Sequence, residues 1–269
     1  MSRKCRVLEE LTSKGRPFVI GMVHVGPLPG SPTYAGEVMD QVVEEAVRNA
    51  ETLVKGGVDA VLVENFYDVP YPKSSPDPAE VASMAIVVNA VRKAVDVPVG
   101  VNLLRNCSKE SVAVAAVAGA SFIRVNALSE TVVADQGLIE PSAYELHRYI
   151  RYLGFRPCIL ADVHVKHAAP LAPRPLPDVS KEAVGRGLAD AVVISGEMTG
   201  VRPSREDLLL VKQAVDVPVV VGSGLTPEFV DELLTVADGA IVGTYFKSGR
   251  RVIKSRVAEL MEAVKKVRR

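Results

Sequence analysis

Apolar residues fall along this chain in short β-branched runs, each followed by a stretch of helical period. The runs are PFVIGMVHV (17–25), DAVLVEN (59–65), VPVGVN (97–102), SFIRVN (121–126), PCILADVHV (157–165), DAVVISG (190–196), VPVVVGSG (217–224) and GAIVGT (239–244). Near-continuous Val/Ile runs suit strands of a parallel sheet whose outer face is covered by helices. Between the first two runs, EVMDQVVEEAVRNAETLVKGG (37–57) sets Val38, Val42, Ala46 and Leu53 on one helical stripe and ends on Gly-Gly. Ser204 and Asp207 have capping-box spacing at the head of SREDLLLVKQAV (204–215). Thr226-Pro227-Glu228 reads as a cap followed by proline at the first helical position. Eight strand–helix units predict an α/β fold, a (β/α)8 TIM barrel forming a single domain over 1–269 with its core at about 17–250.

The chain also repeats itself in halves. Pro17 to Val25 aligns with Pro157 to Val165, and Asp59 to Glu64 with Asp190 to Ser195. The hexapeptide AVDVPV occurs intact at 94–99 and again at 214–219. Ala118 to Arg124 resembles Ala237 to Gly243. Runs one to four therefore match runs five to eight in order, the pattern of a half-barrel duplication. Convergence of barrel strands on one Val-rich pattern would produce the shorter matches as well.

Links from helix to strand are short, such as KGGVD and AVDVP, whereas five links leaving the strands are long and rich in Pro and Gly. Long ordered loops in a compact domain are usually functional, and in a barrel they crowd the face where sites are built. Loops after the seventh and eighth strands commonly hold phosphate with backbone N–H groups and a helix N-terminus. Gly222, Ser223 and Gly224 fit that place, with Gly243 and Thr244 from the neighbouring strand and Ser195 and Gly196 as a third edge. Held by neutral donors, the anion would need no Lys/Arg cluster.

Ionisable groups gather at the other strand ends. His24, Asn65, Asn102, Arg124 and Asn126 are candidate substrate-binding residues, and Glu64, Asp162, His164 and Lys166 are candidate catalytic ones. Period 2 puts Asp162, His164 and Lys166 on one face of their strand, and Phe122, Arg124 and Asn126 on one face of theirs. A charge on a barrel strand must face the polar mouth or be paired. Lys166 is suited to a Schiff base, or to binding a carboxylate or phosphate. Asp162 or Glu64 could act as general base, or hold a divalent metal with His164. The spacing settles neither metal nor Schiff base, so the cofactor stays unknown. Plainer readings stay open: His24 as a core histidine, Arg124 and Glu64 as a structural ion pair, Asp68 as a loop cap.

Composition narrows the classes. Lys+Arg and Asp+Glu are 32 each, so nothing marks a nucleic-acid or polybasic membrane surface. No apolar run is long enough for an integral membrane segment and no leader is visible, so a cytoplasmic protein is expected. Cys5, Cys107 and Cys158 are odd in number and widely spaced, and read as reduced thiols. Three Gln and no Trp, with abundant Val, Glu, Arg and Lys, fit a thermophilic source. There is no Walker A, no GxGxxG and no nucleophile elbow, so no ATP or NAD site of those kinds is expected.

The segments GMVHVGPLPGSP, VENFYDVPY, GVNLLRN, FIRVN, ADQGLIEP, ADVHVKHAAPL, VGSGLTPE and ADGAIVGTYFK together resemble the BtpA/SgcQ family over about 18–250. The resemblance implies a TIM barrel similar to the ribulose-phosphate-binding barrels. It also implies kinship with a cyanobacterial protein needed for photosystem I accumulation, and with members that accompany sugar-handling genes. It supplies no defined reaction. Two expectations follow: an isomerase or lyase acting on a small phosphorylated metabolite, or a non-catalytic biogenesis factor that uses the barrel as a platform. A homo-oligomer is compatible with either.

Overall fold

The computed structural model describes residues 5–267. Eight parallel strands close into a barrel: β1 Phe18–His24, β2 Ala60–Glu64, β3 Val99–Asn102, β4 Phe122–Val125, β5 Cys158–Val163, β6 Ala191–Ile194, β7 Val219–Val221 and β8 Gly239–Val242. Each strand pairs with the next in sequence, and β8 returns to β1, so the barrel sheet has no free edge. The eight expected runs are these eight strands, and the architecture is the TIM barrel.

Helices cover the outer face. The first, α1 (Arg6–Thr12), precedes the barrel; α2 (Met39–Gly56), α3 (Pro78–Ala94), α4 (Ser108–Ala118), α5 (Ala143–Leu153), α6 (Leu176–Gly185), α7 (Arg205–Ala214), α8 (Val230–Leu234) and α9 (Lys254–Lys266) follow the strands in turn. On α2 the residues Val42, Ala46 and Leu53 are buried as the stripe requires, and Gly57 ends the helix in the left-handed region at φ 103. Val38 departs from the stripe: it precedes the first turn and stands 56% exposed. Ser204 caps α7, accepting from the Asp207 N–H at 3.0 Å and donating its hydroxyl to the Asp207 carboxylate at 2.8 Å. The helix after β7 is only five residues long behind a 3-10 turn, and Thr226 makes no capping bond.

The barrel interior is a packed core. Phe18, Ile20, Met22, Leu62, Phe122, Leu160 and Val220 meet inside it, and Leu8 and Leu11 of α1 join them from below as a plug. Two glycines make room for the rings. Gly100 of β3 is registered against Phe122 of β4, and Gly239 of β8 against Phe18 of β1. A methyl group on either glycine would overlap the opposing ring.

The cysteines require a correction. Cys5 and Cys158 form a disulfide, with Cα atoms 5.7 Å apart across a sequence separation of 153, while Cys107 is free and buried. Wide spacing hid the pairing: Cys5 opens the plug helix and Cys158 opens β5, and only barrel closure stacks the two.

A local device recurs at the bottom of the barrel. Asp59, Asp190 and Asp238 each precede an even-numbered strand, and each accepts a backbone N–H from the odd strand before it (Val19 at 2.9 Å, Ile159 at 2.8 Å and Val219 at 2.8 Å). Each carboxylate also meets a cation: Lys14 and Arg16 for Asp59, Arg156 for Asp190, Lys212 for Asp238. Ser121 holds the fourth place, its N–H bonded to the Val99 carbonyl at 2.8 Å as that of Asp238 is to Val219. The first three sequence matches keep their alignment. The fourth shifts by two residues, pairing Ser121 with Asp238. We read this repetition as support for the half-barrel duplication.

Gly100→Ala should push a methyl into the Phe122 ring and cost about 1–3 kcal/mol. The expected result is a melting temperature lower by several degrees with an unchanged far-UV spectrum, read by calorimetry and circular dichroism. An unchanged melting temperature would contradict the tight ring–glycine packing.

Candidate functional site

The parallel strands all end at one face, and their last residues interlock there. His24, Glu64 and Asn102 are registered side by side across β1, β2 and β3. Asn102 donates its amide to Glu64 Oε2 at 2.7 Å, and His24 Nε2 stands 3.8 Å from Glu64 Oε1. The His24 ring stacks on Phe66, with centroids 4.1 Å apart. Arg124 and Asp162 form a two-pronged pair, Nε to Oδ2 at 2.9 Å and Nη2 to Oδ1 at 2.8 Å. Their side chains are 2% and 1% exposed. Asn126 adds a bond to Asp162 Oδ2 at 2.6 Å. Burying two charges costs several kcal/mol each unless the geometry is good and the spare lone pairs are used, as they are here.

The expected alternation holds on β4 but stops early on β5. Phe122 and Arg124 both point inward, whereas β5 ends at Val163 and the backbone turns at His164 to φ 48. His164 therefore leaves the mouth. Its N–H bonds to Glu130 Oε2 at 3.2 Å and its ring faces that carboxylate, in a crevice between the loops after β5 and β6. Lys166 regains the mouth from the turn beyond. Asp162 and His164 thus do not form a shared metal site, and among the described residues no three His, Cys, Asp or Glu side chains are poised around one ion. Asp162 is bound to Arg124 rather than free to act as a base, and Glu64 is not Arg124's partner.

Asn65 also changes role. Its Oδ1 accepts from the Leu104 N–H at 2.8 Å, and its amide donates to Asp68 Oδ2 at 3.1 Å. Asp68 in turn accepts from the Leu28 N–H at 2.8 Å. The pair braces three loops from beneath instead of facing a ligand. Asn102 likewise spends its amide on Glu64.

The glycine loops after β7 and β8 do meet. Gly222, Ser223, Gly224, Thr226, Gly243 and Thr244 line a cavity of about 280 Å³ together with His24, Glu64, Arg124 and Lys166. Among the described residues, no partner takes up the N–H groups of Ser223, Gly224 and Leu225. Ser223 Oγ accepts from the Gly200 N–H at 2.8 Å, which leaves its hydroxyl hydrogen to donate. Thr226 Oγ1 is buried without a partner. Gly224 sits at φ +72, and a Cβ there would run into the Arg202 backbone, so this glycine also lets the loop after β6 fold over the cavity. Ser195 and Gly196 fall outside the cradle: Ser195 Oγ is tucked against Gly222, and both residues line the crevice that holds His164. The α8 helix is too short to add a significant dipole.

A second, larger lobe of about 550 Å³ opens beside the first. Glu64, Phe66, Arg124, Lys166 and Thr199 line both lobes, so the two form one chamber. Tyr71, Leu104, Arg105, Asn126, Asp135, Gln136 and His167 complete the second. Asn126 Oδ1 is buried and unbonded there.

Cations collect at the chamber although the chain is neutral overall. Burial, reinforced by Arg124, pulls the Lys166 ammonium down to about 8. Lys247 was not among the expected site residues. It enters from the hairpin Lys247–Ser248/Arg251–Val252, which Asn49 of α2 pins by bonds to Arg250 O and the Val252 N–H. Its Nζ is buried without a hydrogen bond, and desolvation lowers its pKa to about 7, with Glu64 pulling the other way. Burial first, then Lys247, Lys166 and Arg124, drives His24 well below the ordinary imidazole range, so its ring is neutral at pH 7. The neutral-donor expectation was thus incomplete: cations reach the mouth from β4 and from the loops after β3, β5 and β8, and no sequence cluster announces them.

Solved structures share this fold. Tryptophan synthase from Mycobacterium tuberculosis superposes with a TM-score of 0.65 at 21% identity, covering 98% of each chain. The (S)-3-O-geranylgeranylglyceryl phosphate synthase of Thermoplasma acidophilum, solved with sn-glycerol-1-phosphate, gives 0.62 at 18% identity over 97% of this chain and 99% of that one. These likenesses establish the TIM barrel. The chain itself matches the BtpA family over residues 15–266 and belongs to it. It is 46% identical over 257 residues to an uncharacterised protein of Thermococcus kodakarensis, covering 94% of this chain and 97% of that one. It is 42% identical over 251 residues to the photosystem I biogenesis protein BtpA of Synechocystis, covering 91% and 87%. No helix among the described residues is long and apolar enough to cross a membrane.

Asp162→Ala should strand the buried Arg124 charge and cost about 3–5 kcal/mol. At about 2–4 °C per kcal/mol for a chain of this size, the melting temperature should fall by roughly 10 °C. A drop of only a degree or two in a calorimetric scan would show that the pair is dispensable to the fold.

Proposed function

We propose that the barrel mouth binds a small phosphorylated metabolite and carries out isomerase- or lyase-type chemistry on it. The phosphate sits between the loops after β7 and β8. One observation carries this reading: the N–H groups of Ser223, Gly224 and Leu225 and the hydroxyls of Ser223 and Thr226, free to donate among the described residues, share a single cavity with Glu64, Lys166 and His24. Backbone N–H groups and hydroxyls facing a concave pocket suit phosphate oxygens. Groups with perturbed proton affinity beside them suit acid–base work.

The roles follow from the contacts. Glu64, oriented by Asn102, faces the chamber as a carboxylate base. Lys166 is partly neutral near pH 8 and can take a proton or attack a carbonyl as a free amine. Neutral His24 stands 3.8 Å from Glu64 and can exchange a proton without adding charge. Arg124, held rigid by Asp162, presents a fixed positive field to charge that develops on a substrate oxygen. The reading of the barrel as an assembly platform is favoured by the name of the Synechocystis relative alone. A platform has no use for a buried free lysine beside a neutral histidine.

Ser223→Asp should abolish stabilisation by phosphorylated compounds. In a thermal-shift screen of glycerol phosphate and sugar phosphates, a compound that raises the wild-type melting temperature should leave the variant unmoved. Equal stabilisation of both proteins would remove the phosphate assignment. No stabilisation of wild type by any phosphate would return weight to the platform.

Once a substrate is in hand, kcat/KM should rise with pH through about 8 as the Lys166 ammonium loses its proton. Lys166→Ala should eliminate that limb together with turnover. Turnover retained in Lys166→Ala would move the chemistry to another residue, Lys247 first.

A further inference from the structure

The second lobe holds a group that the phosphate reading does not use. Arg105, 5% exposed, lines it. Among the described residues Arg105 forms no ion pair, and its Nε is buried without a hydrogen-bond partner. Its Nη2 donates to the Lys166 carbonyl, which holds the guanidinium in place and leaves Nε and Nη1 without partners among the described residues. Asp135 lines the same lobe without pairing with it. The contrast with Arg124 is direct. Both are buried arginines at the same mouth, yet one is forked onto a carboxylate and the other has none. A desolvated guanidinium is costly to keep unless something satisfies it, and its planar fork matches an oxyanion with two parallel bonds. The neighbouring acceptors Asn126 Oδ1 and Gln136 Oε1 are also buried and unbonded, so they lack donors that hydroxyl groups would provide.

We propose that Arg105 is the binding site for a second anionic group, so that the ligand of this chamber is a hydroxylated molecule with a phosphate at one end and a carboxylate or second phosphate at the other. This rests on the phosphate cradle of the first lobe and extends it. The lobes meet at Glu64, Arg124 and Lys166, which would place the reacting carbons between the two anionic anchors. Two anchors hold such a molecule in one direction, which a reaction at an internal carbon requires.

The test compares three probes by titration calorimetry: glycerol phosphate with one anionic end, 3-phosphoglycerate with a phosphate and a carboxylate, and ribulose 1,5-bisphosphate with two phosphates. Wild type should bind at least one doubly anionic probe about tenfold or more tighter than glycerol phosphate. Whichever is preferred identifies the second group. In Arg105→Gln that preference should shrink to within twofold, with glycerol phosphate as the internal standard that reports a folded cradle. Arg105→Lys, which keeps the charge but not the fork, should fall between. If glycerol phosphate binds and the doubly anionic probes bind no tighter, the second anchor is refuted while the phosphate cradle stands. A preference that survives Arg105→Gln refutes it equally. Failure of all three probes to bind wild type overturns the cradle and this proposal together.

Discussion

The mouth of this barrel is organised around one buried ion pair. Arg124 and Asp162, on neighbouring strands β4 and β5, are removed from water almost completely. Such a pair survives only with forked geometry and a third partner, which Asn126 supplies. That pairing fixes the direction in which Arg124 points. It also consumes Asp162. Glu64, held apart on Asn102, is left with Asp135 as a carboxylate that faces the chamber unpaired by arginine among the described residues. Burial softens the Lys166 and Lys247 ammonium groups, with Arg124 and Arg105 adding to the effect at Lys166, and burial together with Lys247, Lys166 and Arg124 keeps His24 neutral.

The two ends of the barrel divide the work. At the bottom, carboxylates are spent on the scaffold: Asp59, Asp190 and Asp238 bind backbone N–H groups and nearby cations, while α1 plugs the opening and is tied to β5 by the Cys5–Cys158 disulfide. At the top, donors are left unspent. Ser223, Gly224 and Leu225 keep their N–H groups, and Thr226, Arg105 and Lys247 keep buried polar atoms. In a folded chain, buried polar groups without partners are uncommon, and a concentration of them around one chamber points to a ligand that completes them.

Much of this was legible in the chain. Runs of Val and Ile mark the strands because a strand covered on both faces has no polar side to show. Gly222, Ser223, Gly224, Gly243 and Thr244 could be placed together because strands seven and eight are neighbours in any barrel of this order. Arg124 could be placed in the mouth because period 2 extends inward from Phe122. The departures from expectation have separate causes. Alternation along β5 predicts His164 and Lys166 on the same inward face as Asp162, but the left-handed residue at 164 breaks the period past Val163. Asn65 looked like a ligand contact because a strand-end position does not reveal whether an amide is spent on a neighbouring loop. Ser195 looked like a cradle edge, but Gly222 packs over it. Lys247 escaped notice because it follows β8 by five residues and returns only through the hairpin that Asn49 anchors.

By itself the sequence determined the number of strands, their order, the face on which loops accumulate and the meeting of the two glycine loops after β7 and β8. All of these follow from local periodicity and from the rule that parallel strands end on one side. The tertiary structure decided who is paired with whom: Asp162 with Arg124, Cys5 with Cys158, Asn65 with Asp68, and Arg105, among the described residues, with no carboxylate. Those outcomes depend on distances between residues far apart in the chain. In a buried, low-dielectric mouth, a shift of an ångström or two separates a neutralised charge from one that still awaits its counterpart.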